Sequence, residues 1–120
     1  VSRRITGARG QLAGAAAEQS VLRHYLAAGH SELARNWRGE AGEIDLILAR
    51  GEEVIFVEVK ASRSFAAAAT RLRPAQFARI QAAAEEFLAT RPRGALTPMR
   101  IDLALVDAAG AVEVVENLGL

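Results

Sequence analysis

The spacing of apolar and polar residues changes several times along the chain, and each change marks an element. From Gln11 to Ala28, "QLAGAAAEQSVLRHYLAA" sets Leu12, Ala15, Ala16, Gln19, Leu22 and Leu26 at loosely helical intervals in an alanine-rich background. This predicts a helix that ends near Gly29. Glu32–Trp37 reads as a strand, and Glu43–Ala49 alternates more clearly. Gly51 marks a turn before Val54–Ala61, whose β-branched content predicts the second arm of a hairpin. "FAAAAT" fits a loop or a helical fragment. Pro74 suits a first helical turn, and Phe77, Ile80, Ala84, Phe87 and Leu88 form an apolar stripe, so Pro74–Thr90 is expected to be an amphipathic helix. After the turn-rich "RPRGALTP", the segments "MRIDLALVD" and "AVEVVEN" read as strands joined at "AAG". The predicted order is helix, strand, strand, strand, helix, strand, strand: an α/β fold with a mixed sheet flanked by helices.

Composition adds limits rather than a function. No repeat, linker or biased tail divides the chain, so residues 1–120 are expected to form one domain. With 51% apolar and 24% charged residues, the chain belongs with globular rather than disordered sequences. The absence of cysteine excludes disulfides, thiolate metal sites and a thiol nucleophile. No apolar run reaches bilayer length, and "VSRRITGARG" is not followed by a signal-like stretch, so a cytoplasmic protein without a membrane partner is expected. A net charge of +1 does not mark a nucleic-acid binder by itself. Arg3, Arg4, Arg9, Arg71, Arg73, Arg79, Arg91 and Arg93 fall mostly outside the strand-like segments, where a solvated surface explains them on composition alone.

The chemistry is concentrated in "GEIDLILARGEEVIFVEVKAS", Gly42–Ser62. Strand parity puts Glu58 and Lys60 on one face with Val54 and Phe56, and Glu43, Asp45 and Ile47 on one face of the preceding strand. The short link Arg50–Glu53 lets Asp45 and Glu58 meet at one end of the sheet. Two carboxylates brought together raise each other's pKa, and a hard divalent cation, Mg²⁺ or Mn²⁺, relieves that conflict. The carbonyl of Val59 would complete the protein's share of the ligands, and Glu43 is a further candidate. Lys60 is the only lysine of the chain. It serves either as a counter-ion for the carboxylates or as the group that orients a water and stabilises developing charge. In a chain that otherwise uses arginine, a compact ammonium with a tunable proton is what arginine cannot replace.

An Asp followed by a strand ending Glu-x-Lys resembles the PD-(D/E)XK nuclease superfamily. Asp45 and Glu58-Val59-Lys60 fill that pattern, with Ile44 where a proline usually precedes the Asp. "NWRGEAGEIDLI" (Asn36–Ile47), "IFVEVK" (Ile55–Lys60), "MRIDLALV" and "VVENLGL" together resemble the bacterial YraN family, described as Holliday-junction-resolvase-like and endonuclease-like. The resemblance runs from about Gly14 to Asn117. It implies a restriction-endonuclease-like fold and a glutamate near the metal on the first helix, a position matched by Glu18. Ala17 stands where the family usually has Gly, and Gln76 where it usually has a lysine early in the second helix. Gln76 retains the capacity to hydrogen-bond a phosphate or a bound water.

These readings combine into an expected endonuclease. Asp45 and Glu58 hold Mg²⁺ or Mn²⁺ with Val59 and Glu18, and Lys60 acts on the attacking water. Arg71, Arg73 and Gln76 contact DNA, including branched DNA, and symmetric cutting implies a homodimer. The rival is a nucleic-acid-binding or assembly module with the same fold and no turnover. A small-molecule binder lacks any Gly-rich phosphate loop to support it. His24 and His30 are expected to be structural and Trp37 to pack in the core. Asp102 should order Arg100, and Glu52, Glu53, Glu85 and Glu86 should face water.

Overall fold

A computed structural model describes Ser2–Gly119, with side chains from Gly14 onward. Arg3, Arg4 and Arg9 therefore have side chains outside the described residues. The elements are α1 (Ser2–Ala27), β1 (Ser31–Arg38), β2 (Glu43–Arg50), β3 (Glu53–Ala61), a short α2 (Phe65–Ala69), α3 (Pro74–Leu88), a 3-10 turn (Gly94–Leu96), β4 (Met99–Val106) and β5 (Val112–Val115). The predicted order holds, with two refinements. The first helix begins earlier than the alanine-rich segment suggested, and "FAAAAT" forms a helix capped by Ser64, whose hydroxyl accepts from the Ala67 amide.

One five-stranded sheet runs in the order β1-β2-β3-β4-β5. Three neighbouring pairs are antiparallel, and β3 and β4 are parallel from Val54↔Met99 to Ala61↔Val106. A parallel pair requires a crossover connection, and α2 and α3 supply it. Tyr25, Val21, Leu22 and Ala17 of α1 pack on Leu46, Leu48, Ile55, Val57, Ala104 and Val106. On the other face, Ile80, Ala83, Ala84, Phe87 and Leu88 of α3 cover Ile44, Ile47, Val54, Phe56 and Ile101. Because β3 is covered on both faces, it reads as a continuous apolar run until Glu58. Trp37 packs edge-on against Phe87, as a core tryptophan. No described helix is long and apolar enough to cross a membrane.

Alternation fails in β2, as it does in β1, where the register shifts between Glu32 and Ala34. Ile44 and Ile47 both face α3, whereas Leu46 and Leu48 face α1. The expectation that Glu43, Asp45 and Ile47 share a face is therefore corrected: β2 changes phase at Asp45. On the paired strand, Asn36 lies between Arg35↔Leu46 and Trp37↔Ile44 and has φ 48, a left-handed conformation that asparagine tolerates.

Two acidic residues stabilise the frame. Asp102 is fully buried and accepts from Tyr25 Oη at 2.7 Å, Arg100 Nε at 3.0 Å and the Asn117 amide at 3.0 Å. It joins α1, β4 and the C-terminal segment, and burial together with the Asp102 contact pushes the Tyr25 phenol well above its usual range. Glu86 was expected to face water. Instead it accepts from the Glu40 and Ala41 amides at 2.9 and 3.2 Å and fixes the β1–β2 loop. A side chain at Gly39 would collide with that carboxylate and with Trp37. Glu53 pairs with Arg100 at 3.3 Å, and Glu52 is exposed, as expected, and lies 3.1 Å from Arg93.

Tyr25→Phe is expected to lower unfolding free energy by about 1.5–3 kcal/mol, the value of a hydrogen bond to a charged acceptor. Asp102→Ala, which strips Arg100 and two further donors of their acceptor, should cost about 3–5 kcal/mol. Urea melts of both variants measure these values.

Candidate active site

β2 and β3 pair from Arg50↔Glu53 to Leu46↔Val57. One residue further along β2, the ladder gives way to a side chain: Asp45 Oδ2 accepts from the Val59 amide at 2.8 Å. The phase change in β2 aims Asp45 across this gap, so its carboxylate substitutes for a strand carbonyl and satisfies an amide that would otherwise lack a partner. A cavity of about 400 Å³ opens there, lined by Gly14, Ala17 and Glu18 of α1, Asp45 of β2, Glu58–Ala61 of β3, and Arg71 from the α2–α3 connection.

The electrostatics of this cavity are unfavourable to two negative charges. Glu58 is only 6% exposed. Burial first, then the hydrogen bond and charge of Asp45, push its carboxyl up to about 9, with Lys60 acting in the opposite direction. Lys60 Nζ lies 3.7 Å from Glu58 Oε1, in ion-pair contact but beyond a good hydrogen bond. Glu18 is also raised, by burial and then by Asp45, while a hydrogen bond from Asn36 pulls it down. Near neutral pH, Glu58 therefore holds its proton in this protein without a bound cation.

Of the residues singled out in the sequence, Asp45, Glu58, Val59, Lys60, Glu18 and Arg71 line one cavity. Gln76 and Arg73 do not. Gln76 is half-buried in the first turn of α3, and Arg73 is exposed immediately before it. Glu43 is not among the residues lining the cavity and lies 3.4 Å from Arg38, although its charge still acts on Glu18 and Glu58. His30 is buried, with Nδ1 3.1 Å from the Tyr25 carbonyl, and His24 is exposed on α1. Asn36, which sequence reasoning missed, lies close enough to Glu18 to offset part of the rise in its pKa. Its signal was an asparagine inside a strand opposite the Asp, a residue type suited to a locally left-handed backbone.

The donor set fits a hard cation. Two adjoining carboxylates, the Val59 carbonyl and Glu18 are all oxygen donors, and a divalent charge would remove the conflict that protonates Glu58. Among the described residues, no three His, Cys, Asp or Glu side chains form a complete cluster. Water would therefore fill several positions, as Mg²⁺ favours.

The raised Glu58 carboxyl has a sign that can be worked out. The folded state binds its proton more tightly than the unfolded chain, where the ordinary value is 4.5. Its stabilising contribution is complete below that value and is lost as pH rises towards about 9. Glu58→Gln keeps the neutral form at every pH. It should stabilise the metal-free protein by roughly 1–3 kcal/mol near pH 9 and by little near pH 4. Thermal melts across this range test the expectation.

Comparison with known proteins places this geometry in a family. Residues 17–106 match the model of the uncharacterised protein family UPF0102. A UPF0102 protein of Ruegeria pomeroyi is 59% identical over 111 residues, covering 92% of this chain and 90% of the relative. One of Cereibacter sphaeroides is 55% identical over 113 residues, 94% of this chain and 97% of the relative. One of Dinoroseobacter shibae is 46% identical over 117 residues, 98% of this chain and 87% of the relative. The matched span contains every residue that lines the acidic cavity except Gly14, and the chain belongs to the UPF0102 family.

Proposed function

We propose that the protein is a metal-dependent phosphodiesterase acting on DNA, an endonuclease of the PD-(D/E)XK type. The observation that carries this reading is the convergence of Asp45, Glu58 and Lys60 on one cavity, with the two acids in electrostatic conflict. Structural ion pairs are normally arranged to relieve repulsion, whereas a catalytic centre maintains it for a ligand to resolve. The resemblance to the YraN family adds branched DNA as the substrate and a homodimer as the cutting unit.

In this reading Asp45, Glu58, the Val59 carbonyl and Glu18 would hold Mg²⁺ or Mn²⁺. A cation held there supplies positive charge beside the phosphate and the attacking water. Asp45 keeps its orientation through the Val59 amide, which positions its free oxygen. Glu58 would ionise beside a bound cation, releasing its proton to solvent. Lys60, 18% exposed at its side chain, lies beside Glu58 in the same cavity, where its ammonium would stabilise charge gathering on phosphate oxygens. A binding module without turnover is the second reading. It rests on the incomplete ligand cluster and on Gln76 lying outside the cavity.

Titrating the protein with Mn²⁺ near neutral pH should release a proton as Glu58 ionises. Calorimetry in buffers of different ionisation enthalpy counts that proton, and Glu58→Gln should abolish both the release and most of the binding. Cleavage of linear and branched DNA with Mg²⁺ or Mn²⁺ tests the activity directly. Asp45→Asn should lose binding and cleavage together. Lys60→Met should retain metal affinity and lose about 10²–10⁴ in rate. Near-normal activity in Lys60→Arg would reduce Lys60 to a counter-ion, and an inactive wild type that still binds DNA would favour the second reading.

A further inference from the structure

Beside the acidic cavity lies a second one of opposite character. Its volume is about 460 Å³, and Ser62, Arg63, Ser64, Ala66, Ala67, Thr70 and Arg71 line it. Arg71 lines both cavities and forms the wall between them. The residues that carry the basic cavity follow Lys60 directly in the chain, so the geometry of β3 fixes one cavity relative to the other.

Charge distribution sets this segment apart. Ser62–Ala84 contains Arg63, Arg71, Arg73 and Arg79 and no acidic residue. All four arginines are exposed, and among the described residues none forms an ion pair. Elsewhere Arg35, Arg38, Arg93 and Arg100 each face a carboxylate. Arg23, Arg50 and Arg91 also lack one, but they do not line this cavity. Arg71 is held in place by donating from Nη1 to the Ala61 carbonyl at 2.7 Å, which leaves its other N–H donors free. The Ser64 and Thr70 hydroxyls are engaged in backbone bonds and act as framework.

We infer that Arg63 and Arg71 form a cradle for a phosphate adjacent to the one cleaved, so that the substrate is a polynucleotide strand with consecutive phosphates rather than a lone phosphodiester. This deepens the proposed function and rests on it for the identity of the neighbouring acidic site. A fork of two guanidinium groups without acidic partners suits phosphate oxygens, which accept bidentate bonds. A repulsive acidic cavity also needs an attractive neighbour if it is to hold an anionic strand at all. The net charge of +1 hides this arrangement, because the acidic and basic residues separate along the chain.

The test uses full-length protein and a fluorescein-labelled single-stranded oligodeoxynucleotide, with anisotropy read in Ca²⁺ over a range of salt concentrations. Arg63→Ala should weaken binding about tenfold at low salt. The log–log salt slope should fall by about 0.7 for the lost contact. Arg93→Ala, at the far end of the hairpin beside Glu52, should change neither. Hydrolysis of bis(4-nitrophenyl) phosphate with Mn²⁺, a substrate that has no second phosphate, should be unaffected by Arg63→Ala. Equal behaviour of the Arg63 and Arg93 variants, or no binding by the wild type, overturns the cradle. Loss of the small-substrate activity in Arg63→Ala overturns it too, because Arg63 would then serve the cleaved phosphate itself. If wild type binds the strand through Arg63 yet hydrolyses nothing, the cradle stands and the hydrolase reading fails.

Discussion

The contact between the Asp45 carboxylate and the Val59 amide holds the site together. At that point a side chain replaces a backbone acceptor in the β2–β3 ladder. A ladder continued by backbone carbonyls would bring the strands into regular register and close the gap. A side-chain acceptor reaches further, so the strands part while the buried amide stays satisfied. The gap becomes the cavity, and the carboxylate that opens it is one of the groups that line it. Asn36 opposite adopts a left-handed conformation, so the distortion extends into β1.

Around this contact the structure tolerates a cost in stability. Glu58 is buried beside a second carboxylate and faces only a 3.7 Å contact with Lys60. A protein optimised for stability alone would place an amide or an apolar residue there. The contrast with Asp102 is instructive. That carboxylate is buried more deeply, yet every donor around it is oriented to meet it, and it joins α1, β4 and the C-terminal segment. Two buried acids in one sheet thus differ: Asp102 is met by donors from three segments, whereas Glu58 lies beside a second carboxylate.

The parallel pairing of β3 and β4 connects the two cavities. Because parallel neighbours cannot be joined by a tight turn, the chain leaves β3 at Ala61, passes through α2 and α3, and returns at Met99. The first part of that detour carries Arg63 and Arg71 past the end of β3, next to Lys60. Topology therefore sets basic residues beside acidic ones without any requirement on net charge.

The element order and the site's main residues were legible in the chain itself, because periodicity reports burial and burial follows from the sheet's two covered faces. The hairpin of β2 and β3, the α3 stripe and the Asp45, Glu58 and Lys60 triplet all follow from spacing that any neighbour in space must respect. What spacing could not reveal depended on contacts between distant segments. The phase change at Asp45 requires the β3 amide it bonds. Glu86 looks like a solvated helix residue until the Glu40–Ala41 loop folds over it. Glu43 pairs with Arg38 across the β1–β2 loop, a contact that strand parity does not report. Gln76 and Arg73 fell outside the cavity, while Arg71, two residues from Arg73, reached it. Local periodicity determines which face a residue occupies within its own element. Only tertiary packing decides which group from another element meets it there, because partners far apart in the chain leave no periodic trace.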